Sequence, residues 1–144
     1  MITALDVAKL LISKQDPEDS DLSNLKLQKL VWYCYGFYGA LTDKKLFEDE
    51  IMAWEHGPVV PSMYHDLKKF GRNPVEFDIE ENLDNKFDAE QLDIICEVAE
   101  VFGKYSAWKL RNMTHEESPW LEHEAKAEVI PFEEIVEYFK TRLN

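Results

Sequence analysis

Asn24-Leu-Lys-Leu-Gln-Lys-Leu-Val-Trp-Tyr-Cys-Tyr-Gly-Phe-Tyr-Gly-Ala-Leu41 is apolar around most of a helical circumference. Leu27, Leu30, Val31, Cys34, Phe37, Tyr38 and Leu41 recur at helical spacing as one continuous stripe, and Trp32, Tyr33 and Tyr35 cover much of the remainder. A surface helix has one apolar face; a helix apolar on nearly all sides has to be surrounded by protein. The segment is therefore read as the spine of the core, with the other elements packed about it. Ser23 is placed to cap its start. Gly36 and Gly39 fall three apart on it, where another backbone could approach closely, and Lys26 and Lys29 flank it as solvated side chains.

Working outward, Thr3 and Asp6 have the spacing of a capping box and open a first helix whose Leu5, Ala8, Leu11 and Ile12 share a face. An acidic loop, Asp16-Pro-Glu-Asp-Ser-Asp21, ends it; without the glycine and terminal glutamate of a calcium loop it reads as solvated. Beyond the spine the period changes. Leu46-Phe47 and Ile51-Met-Ala-Trp54, separated by three acidic residues, predict a small hairpin, with Gly57-Pro58 turning the chain afterwards. Pro61 opens a helix that stops at Gly71 and buries Met63, Tyr64, Leu67 and Phe70; residues 73–86 read as a polar surface loop. Asp88 and Gln91 form a second capping box, opening a helix of Leu92, Ile95, Val98, Ala99 and Phe102 that stops at Gly103. Ser106 caps a shorter helix through Trp108, Leu110 and Met113, and Ser118-Pro119 starts another. The tail is a terminal helix over 131–143, with Phe132, Ile135, Val136, Phe139 and Leu143 inward. The fold class is mainly α: one compact domain, 1–144, of about six or seven helices with one small β-hairpin.

The 144 residues, 45% hydrophobic and 12% aromatic, suffice for one core without a staple or metal. Cys34 and Cys96 sit in apolar, helix-like stretches without a C-x-x-C pattern and read as small buried thiols. The N-terminus lacks a basic n-region, and the nearly uncharged run from Leu30 to Thr42 is too short to span a bilayer, so a soluble cytoplasmic protein is expected. A net charge of −13 repels a phosphate backbone and argues against ordinary nucleic-acid binding. It leaves open an acidic face for a basic partner, or mimicry of nucleic acid.

Three segments are dense in aromatic, Gly, Pro and His residues: Leu25-Lys-Leu-Gln-Lys-Leu30 at the head of the spine, Ala53-Trp-Glu-His-Gly-Pro-Val-Val-Pro-Ser-Met-Tyr64, and Thr114-His-Glu-Glu-Ser-Pro-Trp120. In this order and spacing they resemble the Panacea or SocA-like antitoxin domain, a family of small prokaryotic and prophage proteins whose pattern is L-x-LQKL, AW-x-x-GPV-x-P-x-x-Y and THE-x-x-PW. The resemblance spans roughly Thr3 to Glu122. It implies a protein that holds a toxin inactive by binding it, not an enzyme; no cofactor or metal is expected. Family members are paired with toxins of unrelated kinds, so the resemblance does not name this one.

Taken as chemistry, the motifs have plainer uses. Gly57 can supply an unusual backbone angle and Pro58 fix the exit from the hairpin, with His56 hydrogen-bonding across that turn. Thr114 and Glu117 have capping-box spacing, and Trp120 suits a core anchor. His115, Glu116 and Glu117 are nonetheless a cluster of ionisable groups within one turn, open to structural, partner-binding, metal or catalytic use. The zincin spacing H-E-x-x-H is absent, and a metal there would need a distant ligand such as His56 or His65. No catalytic residue is assigned. The candidate partner-binding residues are His56, Gly57, Pro58, Tyr64, Thr114, His115, Glu116, Glu117 and Trp120, with Trp32 and Tyr35 as aromatic surplus from the spine, and at least one of Trp32, Tyr35 and Trp108 is expected at the surface. The leading reading is an antitoxin that binds a protein toxin directly, with no nucleic-acid or membrane contact. A phage-encoded inhibitor of a basic host enzyme, and a His/Glu-dependent hydrolase, are the rivals.

Overall fold

A computed structural model describes residues 1–143. Among these residues, seven α-helices and one two-stranded hairpin follow in the order α1 (Ala4–Ser13), α2 (Asn24–Thr42), β1 (Met52–Trp54), β2 (Gly57–Val59), α3 (Pro61–Leu67), α4 (Ala89–Phe102), α5 (Ala107–Thr114), α6 (Ser118–Leu121) and α7 (Phe132–Lys140). The spine is α2: Leu27, Leu30, Val31, Trp32, Tyr33 and Cys34 are at most 1% exposed. Each large apolar side chain so removed from water contributes about 1.5–3 kcal/mol before conformational entropy is counted. Helices α1, α4, α5 and α7 surround it, and their apolar residues join its own in one cluster. Leu41 departs from the expected stripe: it is 55% exposed, because the chain leaves the core at Asp43, a left-handed C-cap with φ 59°.

Both capping boxes form with the expected partners, Thr3 with Asp6 and Asp88 with Gln91, and Ser23 and Ser106 cap α2 and α5. These signals are local and survive folding unchanged. Ser118 differs. It is the first residue of α6, and the N-cap position falls on Glu117, which makes no capping bond. Cys34 is buried as expected, whereas Cys96 lies on the outer face of α4 and is exposed.

The hairpin exists but is shifted along the chain. Met52 pairs with Val59, Ala53 with Pro58 and Trp54 with Gly57, so Glu55-His56 is the turn and Gly57-Pro58 belongs to the second strand. Pro58 has no N–H to give a ladder, and an edge position in a two-stranded sheet tolerates that. Leu46 and Phe47 insert into the core as irregular chain. The other edge of β1 is covered by 128–130, through Ala53 N–H to Glu128 O (2.9 Å) and Ile130 N–H to Ile51 O (2.8 Å).

Residues 73–86 are more than a polar loop: Val75 and Leu83 are buried, and the Val75 amide donates to Leu22 O at 2.8 Å. Helix α7 packs along α2 as expected of the terminal helix and buries Ile135, Val136 and Phe139. Gly36 and Gly39 admit rings rather than a backbone: Phe139 lies where a Gly36 Cβ would stand, and Phe132 and Val136 come within 3.1 Å of one on Gly39. The terminal helix ends at Lys140, short of the expected 143, and Leu143 is 36% exposed.

Candidate functional site

The three motifs meet at one place, where the head of α2, the hairpin and α5 come together. Gln28 and Lys29 start this arrangement. Both sit on the side of α2 that faces the hairpin, and both are buried. The Gln28 Oε1 accepts from Val60 N–H at 2.9 Å, and the Lys29 Nζ donates to Pro58 O at 3.0 Å. Neither lysine of the pair is solvated, contrary to expectation. Lys26 buries its stem and gives Nζ to Asp21 Oδ2 and to Gly103 O, each at 2.6 Å, tying α2 to the end of α4. Long stems with a satisfied head make such burial tolerable. For Lys29 it is costly: burial, then the nearby Arg111 guanidinium, push its ammonium down to about 7, against a smaller opposing pull from Glu117.

Gly57 is the contact point. Its φ of +108° suits glycine, and a Cβ there would lie 2.6 Å from Thr114 Oγ1 and 2.9 Å from the Lys29 side chain. The HGP and THE segments are therefore in touch. Thr114 Oγ1 donates to Arg111 O at 2.7 Å, closing the end of α5 rather than forming a capping box. Trp120 donates its indole N–H to Trp54 O at 2.7 Å, and its ring stacks on His115 with centroids 4.1 Å apart. His115 Nε2 is buried without a partner. Burial, helped by Arg111 and Lys29, lowers the pKa of this histidine and keeps the ring neutral near pH 7.

Glu117 has left capping altogether. At 3% exposed, its carboxylate accepts from Trp32 Nε1 (2.9 Å), Tyr33 OH (2.8 Å) and Arg142 Nη1 (3.2 Å). Burial raises its pKa, and those donors oppose the rise. Trp32 is thus the inner partner of the motif and cannot touch another molecule. Tyr35, 4% exposed, lies against Phe47 and Phe132 on another side of the spine.

What remains outside is a smaller surface. Trp108 is 56% exposed, the Arg111 guanidinium lies over its ring at 4.4 Å, and Arg111 Nε donates to His56 Nδ1 at 3.4 Å. His56 is therefore held from α5 and not across its own turn. Beside this cluster runs a groove of about 960 Å³, lined by Trp54, Tyr64 and Trp108, by the head of α2, and by Lys68 and Arg72. Of the residues expected at a partner surface, His56 and Glu116 are exposed and Tyr64 and His115 are half-buried; Gly57, Pro58, Thr114, Glu117 and Trp120 are buried and build the frame. Trp54, Arg111, Lys68, Arg72 and Asn24 were not singled out beforehand. The Gln28-Lys29 pair that seats the hairpin was likewise read only as part of a motif, with Lys29 taken as solvated.

Elsewhere, His123 Nδ1 faces Glu128 at 3.0 Å and its Nε2 faces Glu134 at 2.9 Å. Glu122, His123 and Glu134 bring three ligand-type atoms within 4.8 Å of one another, away from His115. The Glu128 bond, aided by Glu134, raises the His123 pKa. Among the described residues no helix is long and apolar enough to cross a membrane.

Comparison with known proteins adds the following. The sequence profile of the family described as "Antitoxin SocA-like, Panacea domain" matches residues 27–121, which contain the hairpin, the groove's aromatic walls and Glu117 with its partners Trp32 and Tyr33, but not Arg142. The chain is 36% identical to "Antitoxin SocA" of Caulobacter vibrioides over 63 residues. That match covers 44% of this chain and 34% of the relative, so the chain spans about a third of the relative's length. No solved structure matches.

Proposed function

The chain belongs to the SocA-like antitoxin, Panacea-domain family, and from that premise we propose that it is an antitoxin that neutralises a cognate protein toxin by direct contact. The observation that supports direct contact is the Trp108–Arg111–His56 cluster on the rim of the groove. An exposed tryptophan with an arginine over its face, beside an apolar groove, is the composition of a binding hot spot and has no role in the core. The proposed contact surface comprises His56, Tyr64, Trp108, Arg111 and Glu116, framed from beneath by Gly57, Thr114, His115, Glu117 and Trp120. Binding there either covers the toxin's active site or holds the toxin in an inactive conformation. His115 and Glu117 act in the frame, one stacked on Trp120 and the other occupied by three donors.

The test is capture of the tagged chain from its native cells, identification of the partner, and growth of cells expressing the partner with and without this chain. One small partner that arrests growth alone and is tolerated with this chain supports the reading; failure of every captured partner to arrest growth refutes it. Trp108→Ala is expected to keep its melting temperature and lose protection.

A further inference from the structure

The groove beside Trp108 is chemically one-sided. Its apolar walls are Trp54, Tyr64 and Trp108, and of its lining residues Glu55 alone carries a carboxylate, whereas Lys68 and Arg72 carry positive charge. The chain has 29 acidic residues for 16 basic ones, so a surface cation has many possible partners. Among the described residues neither Lys68 nor Arg72 has a carboxylate within ion-pair distance.

A third donor comes from a relay whose direction is fixed. The Val60 N–H can only donate, so the oxygen of the Gln28 amide must face it, at 2.9 Å. The Gln28 nitrogen then points the other way and donates to Asn24 Oδ1 at 3.2 Å. Asn24 is left with its own Nδ2, a donor for which the described residues supply no acceptor, although the residue is only 7% exposed and lies on the groove wall. Asn24 and Leu25 are also the first two residues of α2, so the positive end of that helix dipole adds to the same potential.

We infer that this groove takes a carboxylate-bearing apolar segment of the partner protein, its acidic group set between Asn24 Nδ2, Lys68 and Arg72 and its apolar side chains against Trp54, Tyr64 and Trp108. The inference rests on the antitoxin reading for the identity of the partner. A nucleic acid would offer anionic groups too, but a long polyanion is repelled by a chain of net charge −13, which a short segment with one or two carboxylates is not. A local basic groove on an acidic protein thus selects a partner segment of opposite local charge and fixes its register.

The probe is a phage-displayed library of random dodecapeptides panned on the whole chain, with the selected peptides synthesised and titrated by fluorescence anisotropy. Expected are peptides pairing Asp or Glu with aromatic or large aliphatic residues, weakened by added salt. Asn24→Asp keeps an oxygen for the Gln28 donor and places an acid at the start of a helix, where it is stabilising. It should melt no lower than the parent and yet bind about tenfold or more weaker, as should the surface variant Arg72→Glu. Basic selected peptides, affinity indifferent to both variants, or tighter binding of a mixed-sequence oligonucleotide than of any peptide would each overturn the inference. The two readings fail separately. A captured toxin that binds Asn24→Asp and Arg72→Glu as tightly as the parent sinks the groove assignment and leaves the antitoxin role standing. Absence of any growth-arresting partner sinks that role, while the peptide selection still reports on the groove.

Discussion

Glu117 allows a prediction in which two substitutions at one position part company. Its carboxylate, 3% exposed, is the acceptor for the Trp32 indole N–H and the Tyr33 hydroxyl, both in the core, and for Arg142, whose side chain is 32% exposed. In Glu117→Ala the two core donors lose their partner. A buried donor left unpaired costs about 1–3 kcal/mol, so the pair costs about 2–6 kcal/mol. In Glu117→Gln the amide oxygen can still accept from the indole, which can only donate. The amide nitrogen then faces Tyr33, whose hydroxyl can turn and accept. Arg142 loses its acceptor and can swing to water, and the Tyr33 O–H loses the oxygen it donated to, at a cost of about 1–3 kcal/mol. The loss is offset by no longer burying a charge, so the net effect is within about 1 kcal/mol at neutral pH. Urea unfolding followed by far-UV circular dichroism reads both, provided the slopes match. The pH dependence adds a sign. Burial holds the Glu117 pKa above 4.5, so the folded state keeps its proton where the unfolded chain has released it. Stability from this group is greatest in acid and falls as pH rises from about 4.5 through the raised value; the Gln variant lacks that component. Equal losses in Gln and Ala, or an Ala loss below about 1 kcal/mol, would refute the donor argument.

Three further outcomes are expected. Gly36→Ala places a methyl group in the Phe139 ring and should cost about 1–3 kcal/mol in a thermal melt, most of it recovered when paired with Phe139→Leu. Trp120→Ala removes a 6%-exposed side chain and strands Trp54 O, so a loss of about 3–5 kcal/mol is expected; an unchanged melt would contradict its place in the frame. Lys29 has its pKa lowered from 10.5 to about 7, so above about pH 7 the folded state gives up a proton that the unfolded chain keeps until about 10.5. Its contribution to stability should therefore rise by up to about 1.4 kcal/mol per pH unit in that window, and Lys29→Met should flatten the slope measured between about pH 7.5 and pH 9.

Which parts of this molecule were legible in the chain follows from how far each side chain reaches. Thr3, Ser23, Asp88 and Ser106 act on amides three residues away, so their roles are written locally. The spine was legible because apolar surface on every side of a helix has one solution. Lys26, Lys29 and Glu117 were not, because Gly103, Pro58 and the Trp32–Tyr33 pair lie 77, 29 and at least 84 residues away. Nothing near them in sequence distinguishes a satisfied buried charge from a solvated one. The hairpin was misplaced for a related reason: Leu46 and Phe47 are apolar for the core, while the paired residues include a glycine and a proline, which carry little strand signal. The structure brings the motif residues together, and most of them hold one another. The accessible face was visible only as surplus aromatics, of which Trp108 is the exposed member and Trp32 and Tyr35 are not.

The seat of the hairpin has a consequence for how such a surface changes over generations. Gln28 and Lys29 grip Val60 N–H and Pro58 O, the first a group that every residue but proline carries and the second one that every residue carries. The grip does not read the side chains of the turn it presents. Glu55 and His56, both exposed, can therefore be exchanged without loosening the platform, and the same holds for Lys68 and Arg72 in the groove. Substitutions in the exposed turn are thereby separated from substitutions that endanger folding, so the surface it presents can vary while the seat beneath stays the same.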